Sequence, residues 1–195
     1  MRVIAGKYRS RILVAPPGED TRPTSDRLRE TLFNILGECI AKAVFVDLFA
    51  GTGAVGIEAL SRGATQVYFA ETAKPALTAL RKNLQALKIE QGYTVETRGA
   101  LPLLRALESR RTHADVVFLD PPYADAEAYK TVLHALAASS ILQGNSVVVV
   151  EHSSHTGAPA PPAALYAYRT LKQGEAQVTF YRKAAPAIAD SPENL

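Results

Sequence analysis

The strongest constraint in this sequence is a regular alternation that begins at residue 44. Short runs rich in β-branched and aromatic residues occupy positions 44–48, 67–71, 93–97, 115–119 and 147–151. Longer helical segments separate or follow them at about 54–62, 73–88, 100–109 and 126–138. Parallel strands need crossovers of this length. The pattern therefore predicts an α/β fold built on a doubly wound, mostly parallel sheet.

The two ends of the chain depart from this alternation. A Pro-rich turn at 157–162 precedes two strand-like runs, 165–171 and 177–182, which we expect to form a C-terminal antiparallel hairpin and complete a seven-stranded sheet. At the front, residues 2–14 predict a small basic β-hairpin around Gly6. Thr24 or Ser25 then caps a predicted helix. Its buried stripe consists of Leu28, Leu32, Ile35, Leu36, Cys39 and Ile40.

Length and composition fit one domain without a membrane span. The 195 residues predict a single domain over 1–183, with 1–20 as a basic arm and 184–195 as a flexible tail. No apolar run approaches the roughly 18 residues that cross a bilayer, and no apolar signal segment follows Arg2. The single cysteine, Cys39, excludes an internal disulfide. We expect a monomeric cytoplasmic protein with Cys39 buried.

The net charge of +3 is small, but its distribution is uneven. Residues 1–30 hold seven basic and four acidic side chains, while the rest of the chain holds 15 of each. Basic and aromatic side chains together suit an RNA contact, because phosphates attract cations and exposed bases stack on rings. The candidates are Arg2, Lys7, Tyr8, Arg9 and Arg11. A solvated strand face is the alternative interpretation.

A glycine-rich segment follows the first predicted strand, at the sheet edge where open α/β folds bind ligands. Gly51, Gly53 and Gly56 satisfy G-x-G-x-x-G, and Glu71 follows Gly51 by 20 residues. By spacing alone NAD would fit. Asp47, however, would place a carboxylate at the mouth of the loop, where it repels a pyrophosphate and attracts the cationic S-adenosylmethionine (SAM). The candidate SAM-binding residues are Asp47, Phe49, Ala50, Gly51, Thr52, Gly53 and Glu71.

The segment Asp120-Pro121-Pro122-Tyr123 directly follows the predicted strand at 115–119. Two prolines hold an extended turn, and we expect the carbonyls of Asp120 and Pro121 to face a pocket as unpaired acceptors. Two acceptors and an aromatic face suit a planar amino group on a heterocycle. All four residues are therefore candidate catalytic residues. The alternative is a simple strand stop with a surface tyrosine.

These motifs resemble those of class I SAM-dependent amino-methyltransferases, which have a Rossmann-like fold. Three further stretches resemble the RsmD family of 16S rRNA guanine-N2 methyltransferases: 2–9, 22–30 and 56–64. The resemblance runs from about residue 2 to 182. It implies methylation of a specific guanine, position 966 of 16S rRNA in the small ribosomal subunit. It also implies that Arg22 and Thr24 lie beside SAM, where a guanidinium can pair with the methionine carboxylate.

One position departs from the family pattern. Related enzymes usually follow their third strand with Asp or Asn, which contacts the adenine amino group, whereas this chain has Gly99. We expect backbone groups around Ala100 and Leu101 to hold the adenine instead, and we count Gly99 and Ala100 among the candidate SAM-binding residues. The four histidines, His113, His134, His152 and His155, show no metal-ligand spacing, so we expect no metal.

The predicted chemistry is direct in-line transfer of the methyl group to guanine N2, without a covalent intermediate. Asp120 and the Pro121 carbonyl accept the two amino hydrogens, and Tyr123 stacks on the base. Other methyltransferases also use such a motif, so DNA adenine N6 and protein glutamine N5 remain alternative acceptors. An NAD-dependent oxidoreductase and an RNA-binding protein without catalytic activity are alternatives of other classes.

Overall fold

The computed structural model describes residues 1–16 and 25–184. Its helices are α1 Asp26–Leu36, a 3-10 helix Gly37–Ile40, α2 Ala54–Ser61, α3 Lys74–Ala86, α4 Ala100–Ser109 and α5 Ala126–Ala138. Its strands are β1 Val44–Leu48, β2 Gln66–Ala70, β3 Tyr93–Glu96, β4 Ala114–Leu119, β5 Leu142–Ser153, β6 Leu165–Gln173 and β7 Ala176–Lys183. Across the described ranges, no helix is both long and apolar enough to cross a membrane.

The seven strands form one sheet in the order β3-β2-β1-β4-β5-β7-β6. The first five in that order pair in parallel, while β7 pairs antiparallel with both β5 and β6. The predicted mostly parallel sheet with an antiparallel C-terminal hairpin is therefore confirmed. Strands β2 and β3 lie on one side of β1, and β4 with the later strands lies on the other, so the direction in which the sheet grows changes between β1 and β4. Leu48 of β1 pairs with Leu119 of β4 at this point. Ligand sites of open α/β sheets form at such a reversal.

Two apolar layers cover the sheet, one on each face. Phe45, Phe69 and Phe118 point to the face that is covered by α1, α2 and α3. Side chains at alternate positions of the same strands, such as Leu48 and Leu119, point to the face that is covered by α4 and α5. This alternation is what a strand's two-residue period dictates when both faces are buried.

The N-terminal arm, residues 1–16, is less regular than the predicted hairpin. One isolated antiparallel bridge joins Arg2 to Ile12, and backbone hydrogen bonds from Val3 N to Arg11 O and from Ser10 N to Val3 O close the loop. Gly6 has φ +80°, and a Cβ there would lie 1.8 Å from the Ser61 carbonyl oxygen. The arm therefore packs so closely against the end of α2 that only glycine fits.

Helix α1 begins as predicted but ends earlier. The Ser25 hydroxyl accepts the Leu28 N–H at 3.1 Å, which confirms the cap. Gly37, with φ +52°, ends the α-helix, and the following turn is a 3-10 helix. The changed helical period turns Cys39 outward, so the prediction of a buried Cys39 is wrong. Ile40 remains buried.

Candidate active site

We call residues 49–53, which connect β1 to α2, the glycine loop. Its backbone turns sharply, with positive φ at Phe49, Gly51 and Gly53. Gly53 has φ +78°, and a Cβ there would lie 2.2 Å from the Leu80 Cδ1 atom, so a larger residue would strain the backbone and displace the Leu80 side chain of α3. The loop ends where α2 begins, and the N–H groups of that first turn give the site a positive electrostatic potential.

Asp47 lies beneath the glycine loop, not at its mouth. The residue is 1% exposed, and its Oδ2 accepts the Gly56 N–H at 2.9 Å. Burial raises the pKa of the Asp47 carboxyl to about 7, with the Gly56 hydrogen bond opposing the rise and the charge of Glu71 adding to it. The prediction of a carboxylate at the loop mouth is wrong for Asp47, because its place on β1 directs the side chain into the layer below α2. Its role is to hold the first turn of α2.

Glu71 follows β2 and is the carboxylate at the loop surface. One oxygen accepts the Gly51 N–H at 2.8 Å. The other accepts the N–H groups of Thr72 and Ala73 at 2.7 and 2.8 Å. The half-buried carboxyl is therefore fixed at the end of its strand beside the glycine loop. A carboxylate held in this way is an acceptor for hydroxyl groups of a bound ligand.

A cleft of about 380 Å³ opens beside the glycine loop. It is lined by Phe49, Arg98, Ala100, Leu101, Pro102, Asp125, Glu127, Ala128, Thr131 and Val132. Phe49 and Ala100, both candidates from the sequence, thus share one wall. Gly99 precedes α4 with φ +106° and ψ −175°, a conformation that is essentially restricted to glycine. This backbone explains why Asp or Asn is absent from the position.

The Asp120-Pro121-Pro122-Tyr123 turn lies at the same sheet edge. Asp120 is half-buried after β4, and its N–H donates to the Leu48 carbonyl at 3.4 Å, which ties it to the end of β1. Pro122 and Tyr123 are exposed. The buried Tyr129 hydroxyl donates to the Pro121 carbonyl at 3.2 Å. The expectation of an unpaired Pro121 carbonyl is therefore wrong, although a carbonyl oxygen has a second lone pair.

Sequence reasoning missed Glu151. It is 3% exposed and lies one position past the pairing of Leu119 with Val150, which places it beside Asp120. The Tyr123 hydroxyl donates to Glu151 Oε1 at 3.3 Å. The single hydrogen of the Tyr129 hydroxyl is shared between the Glu151 carbonyl at 2.9 Å and the Pro121 carbonyl. The sequence does indicate this position, because Glu151 directly follows the apolar run 147–150, just as Asp120 directly follows the apolar run 116–119.

We call Asp120, Tyr123, Tyr129 and Glu151 the carboxylate–tyrosine cluster. Burial is the main cause that raises the pKa of the Tyr129 hydroxyl, and the charges of Asp120, Tyr123 and Glu151 add to it. Tyr129 therefore stays a neutral donor throughout the physiological range. It fixes the Pro121 carbonyl to the end of β5.

Asn83, on α3, was also missed. It is 2% exposed, and its amide N–H groups donate to the carbonyls of Val14 and Thr52 at 3.1 and 2.9 Å. Its side-chain oxygen accepts the Val14 N–H at 2.8 Å. One buried side chain thus joins the end of the arm to the glycine loop. A lone Asn in an amphipathic helix carries no sequence signal for such a role.

The arm's candidate RNA contacts are on the surface but away from the cleft. Arg2, Lys7, Arg9 and Arg11 are exposed, and Tyr8 is half-buried with the Lys7 ammonium 5.2 Å from its ring centre. The backbone N–H groups of Lys7 and Tyr8 bond to Ser61 at the C-terminal end of α2, whereas the glycine loop precedes the same helix. Eight helical residues separate the two sites by about 12 Å. The structure therefore does not bring this basic cluster into the cleft.

The arm's position on α2 depends on a buried carboxylate. The two oxygens of Glu58 accept the Ile4 and Ala5 N–H groups at 2.7 and 3.0 Å. Arg62 pairs with Glu58 at 2.7 Å, and buried Arg29 lies 3.9 Å from it. The arm is thus fixed to the domain by charge-assisted hydrogen bonds.

Two candidates cannot be placed. Arg22 and Thr24 lie outside the described residues, as does nearly all of the predicted tail. Within residues 1–16 and 25–184, no group of three or more His, Cys, Asp or Glu side chains is arranged to hold a metal ion.

Comparison with known proteins extends over nearly the whole chain. The family model described as Conserved hypothetical protein 95 matches residues 1–182. The ribosomal RNA small subunit methyltransferase D of Escherichia coli K12 is 33% identical over 191 residues, which span 98% of this chain and 94% of the relative. The Haemophilus influenzae protein of the same name is 40% identical over 153 residues, spanning 77% and 78%.

A solved structure agrees with these matches. The Escherichia coli protein yhhF, described as a presumed methyltransferase, superposes with a TM-score of 0.82 at 32% identity and covers 95% of this chain and 99% of its own. The resemblance first read from short motifs is therefore confirmed over both sequence and fold. This chain belongs to the Conserved hypothetical protein 95 family, which is the RsmD family.

Proposed function

We propose that this protein is a SAM-dependent methyltransferase that modifies the N2 amino group of a guanine in 16S rRNA of the small ribosomal subunit. The observation that carries the proposal is the meeting of two motifs at one sheet edge. The glycine loop follows β1, the Asp-Pro-Pro-Tyr turn follows the adjacent β4, and Asp120 N–H bonds Leu48 O. A methyl donor and an amino acceptor held by these segments would be neighbours.

The residues around the cleft fit SAM by their donor and acceptor chemistry. Glu71 offers carboxylate oxygens to ribose hydroxyls, and the wall of Phe49 and Ala100 offers an apolar face and backbone groups to adenine. Glu71, the carboxylate at the loop surface, favours a cation over a pyrophosphate. Arg22 and Thr24 are proposed to hold the methionine carboxylate. When bound, SAM supplies an electrophilic methyl group on a sulfonium.

The turn after β4 would orient the guanine. Asp120 accepts one N2 hydrogen, and the second lone pair of the Pro121 carbonyl accepts the other. These bonds direct the nitrogen lone pair at the methyl carbon, about 3 to 3.5 Å away in a reactive complex. During transfer of the methyl group that SAM would supply, an N–C bond would form as the S–C bond breaks, the Asp120 charge would stabilise the cationic nitrogen, and that nitrogen would then lose a proton to water. Tyr123 stacks on the base.

The family relationship supports the RNA substrate. Two relatives are named small subunit rRNA methyltransferases, and the arm presents four exposed basic side chains. Guanine 966 is the target that we propose by this relationship. Because the arm contacts lie along α2 and not in the cleft, RNA binding would span the surface from the arm to the cleft.

An Asp120→Ala variant tests the assignment of the two motifs to different steps. Methyl transfer to small subunits should fall at least 100-fold, because the acceptor for the amino group is gone. SAM binding, measured by calorimetry, should stay within threefold of wild type. Turnover within threefold of wild type would contradict the assignment. Glu90→Gln, an exposed change before β3, is the control for handling and folding.

A further inference from the structure

We propose that Glu151 is a specificity-determining residue that accepts the guanine N1–H, so that the site selects guanine over purines lacking a hydrogen at N1. The inference rests on the proposed function and extends it to a residue outside both motifs. Its basis is the placement of Glu151 beside Asp120 at the end of adjacent strands.

The hydrogen-bonding edge of guanine requires a third acceptor. N2 carries two hydrogens, and Asp120 with the Pro121 carbonyl accepts both. The neighbouring ring nitrogen N1 carries one more hydrogen, whereas N1 of adenine is a lone-pair acceptor. A buried N–H without a partner costs about 1 to 3 kcal/mol. A base held by its N2 in this cluster therefore needs an acceptor one ring atom away.

Glu151 is placed to supply that acceptor. Its carboxylate is in the carboxylate–tyrosine cluster, and Tyr129 fixes its backbone through the 2.9 Å bond to its carbonyl. The Tyr123 side chain is 38% exposed, and its hydroxyl donates a 3.3 Å hydrogen bond to this carboxylate. Oε1 of Glu151 accepts the Tyr123 hydroxyl with one lone pair, and its second lone pair can accept the ring N–H. The same carboxylate would repel the N1 lone pair of adenine.

The analogue 2-aminopurine keeps the amino group at position 2 but lacks the hydrogen at N1 and the oxygen at C6. A contact to the C6 oxygen is the same in wild type and in a Glu151 variant, so the change in base preference between them reports the N1 contact. Small subunits are reconstituted with 16S rRNA that carries either guanine or 2-aminopurine at the target position. Transfer of labelled methyl from SAM then gives kcat/KM for each base. Wild type should prefer guanine about tenfold or more, the range of one good base-edge contact.

Three variants separate base recognition from structural support. Glu151→Leu should lower the preference about tenfold, and the isosteric Glu151→Gln should lower it less, because an amide can present either an oxygen or an N–H to the base. Tyr123→Phe removes the hydroxyl bond and leaves the carboxylate, so it should keep the wild-type preference. Glu90→Gln should change neither rate. Thermal unfolding checks that each variant is folded.

The measured base preferences distinguish a failure of the role of Glu151 from a failure of the proposed function. A wild-type enzyme that does not discriminate the two bases, or Glu151 variants that retain the full preference, would overturn the role of Glu151 and leave the proposed function standing. An equal loss in Tyr123→Phe would also overturn it, because Glu151 would then act only by holding Tyr123. A wild-type enzyme that methylates no guanine in the subunit would overturn the proposed function and this inference together.

Discussion

Replacing Asp47 with Asn should stabilise the fold. Asp47 is 1% exposed, and its carboxyl has a pKa of about 7 because burial disfavours the charge. An Asn side chain has nearly the same shape, and its oxygen can still accept the Gly56 N–H that is now held at 2.9 Å. The substitution therefore removes the buried charge and preserves the hydrogen bond.

The difference between the Asp47 pKa values of the folded and unfolded chains sets the size and sign of the change in the free energy of unfolding. In the unfolded chain the Asp47 pKa is 3.8, and in the folded chain it is about 7. Between these values the folded chain binds one more proton than the unfolded chain, so its free energy of unfolding falls by about 1.4 kcal/mol for each unit that the pH rises. From pH 5 to pH 8 wild type thus loses about 3 kcal/mol, nearly all of it below pH 7. The asparagine side chain of the variant does not titrate.

Urea unfolding at pH 5 and pH 8 measures this difference. The free-energy difference between Asp47→Asn and wild type should grow by about 3 kcal/mol at the higher pH, a midpoint shift of about 1 to 1.5 M for a slope of roughly 2 to 3 kcal/mol/M. Asp115→Asn, which alters a half-buried carboxylate that accepts the Val44 N–H, is the matched control. A difference that does not change with pH would refute the reasoning. An equal gain in the control would assign it to general loss of a carboxylate.

Three further predictions concern SAM, the arm and RNA. Glu71→Gln should weaken SAM binding about tenfold or more by calorimetry, because the ribose acceptor loses its charge; an unchanged affinity would place the ribose elsewhere. Asn83→Ala should lower the free energy of unfolding by about 2 to 3 kcal/mol, because the Val14 N–H and the carbonyls of Val14 and Thr52 lose their partner. Urea titration measures this loss, and a value below about 0.5 kcal/mol would contradict the role of Asn83. Lys7→Ala with Arg9→Ala should weaken RNA binding and reduce its salt slope by up to about two, and a wild-type slope would remove the arm from the RNA interface.

The sequence predicted the sheet well because its signals are local and repeated. Helices α4 and α5 lie at the predicted positions, and most strand ends differ by one or two residues. Strand β5 is the largest exception, since it begins at Leu142, before the predicted valine run. Its first residues pair with the start of β4 across an irregular register, and that long-range pairing has no local pattern.

The site was predicted in part, because motif spacing gives the strand end and not the direction of each side chain. Asp47 and Glu71 looked equivalent as acids near the glycines, yet the sheet buries the first and leaves the second at the loop surface. Asn83 and Glu151 contact segments that are distant in sequence, so their roles depend on packing that no local pattern encodes. At Gly99 the structure supplies a reason that the sequence did not. The positive φ of this residue explains why glycine stands where related enzymes have Asp or Asn.

The most direct test of the central claim is to map the methyl group. Small ribosomal subunits from cells lacking this protein are incubated with the purified enzyme and SAM labelled in the methyl group, and the modified nucleotide is located and identified. We expect one N2-methylguanine per subunit, at guanine 966 of 16S rRNA. Label on an adenine, on protein or on no component of the subunit would contradict it.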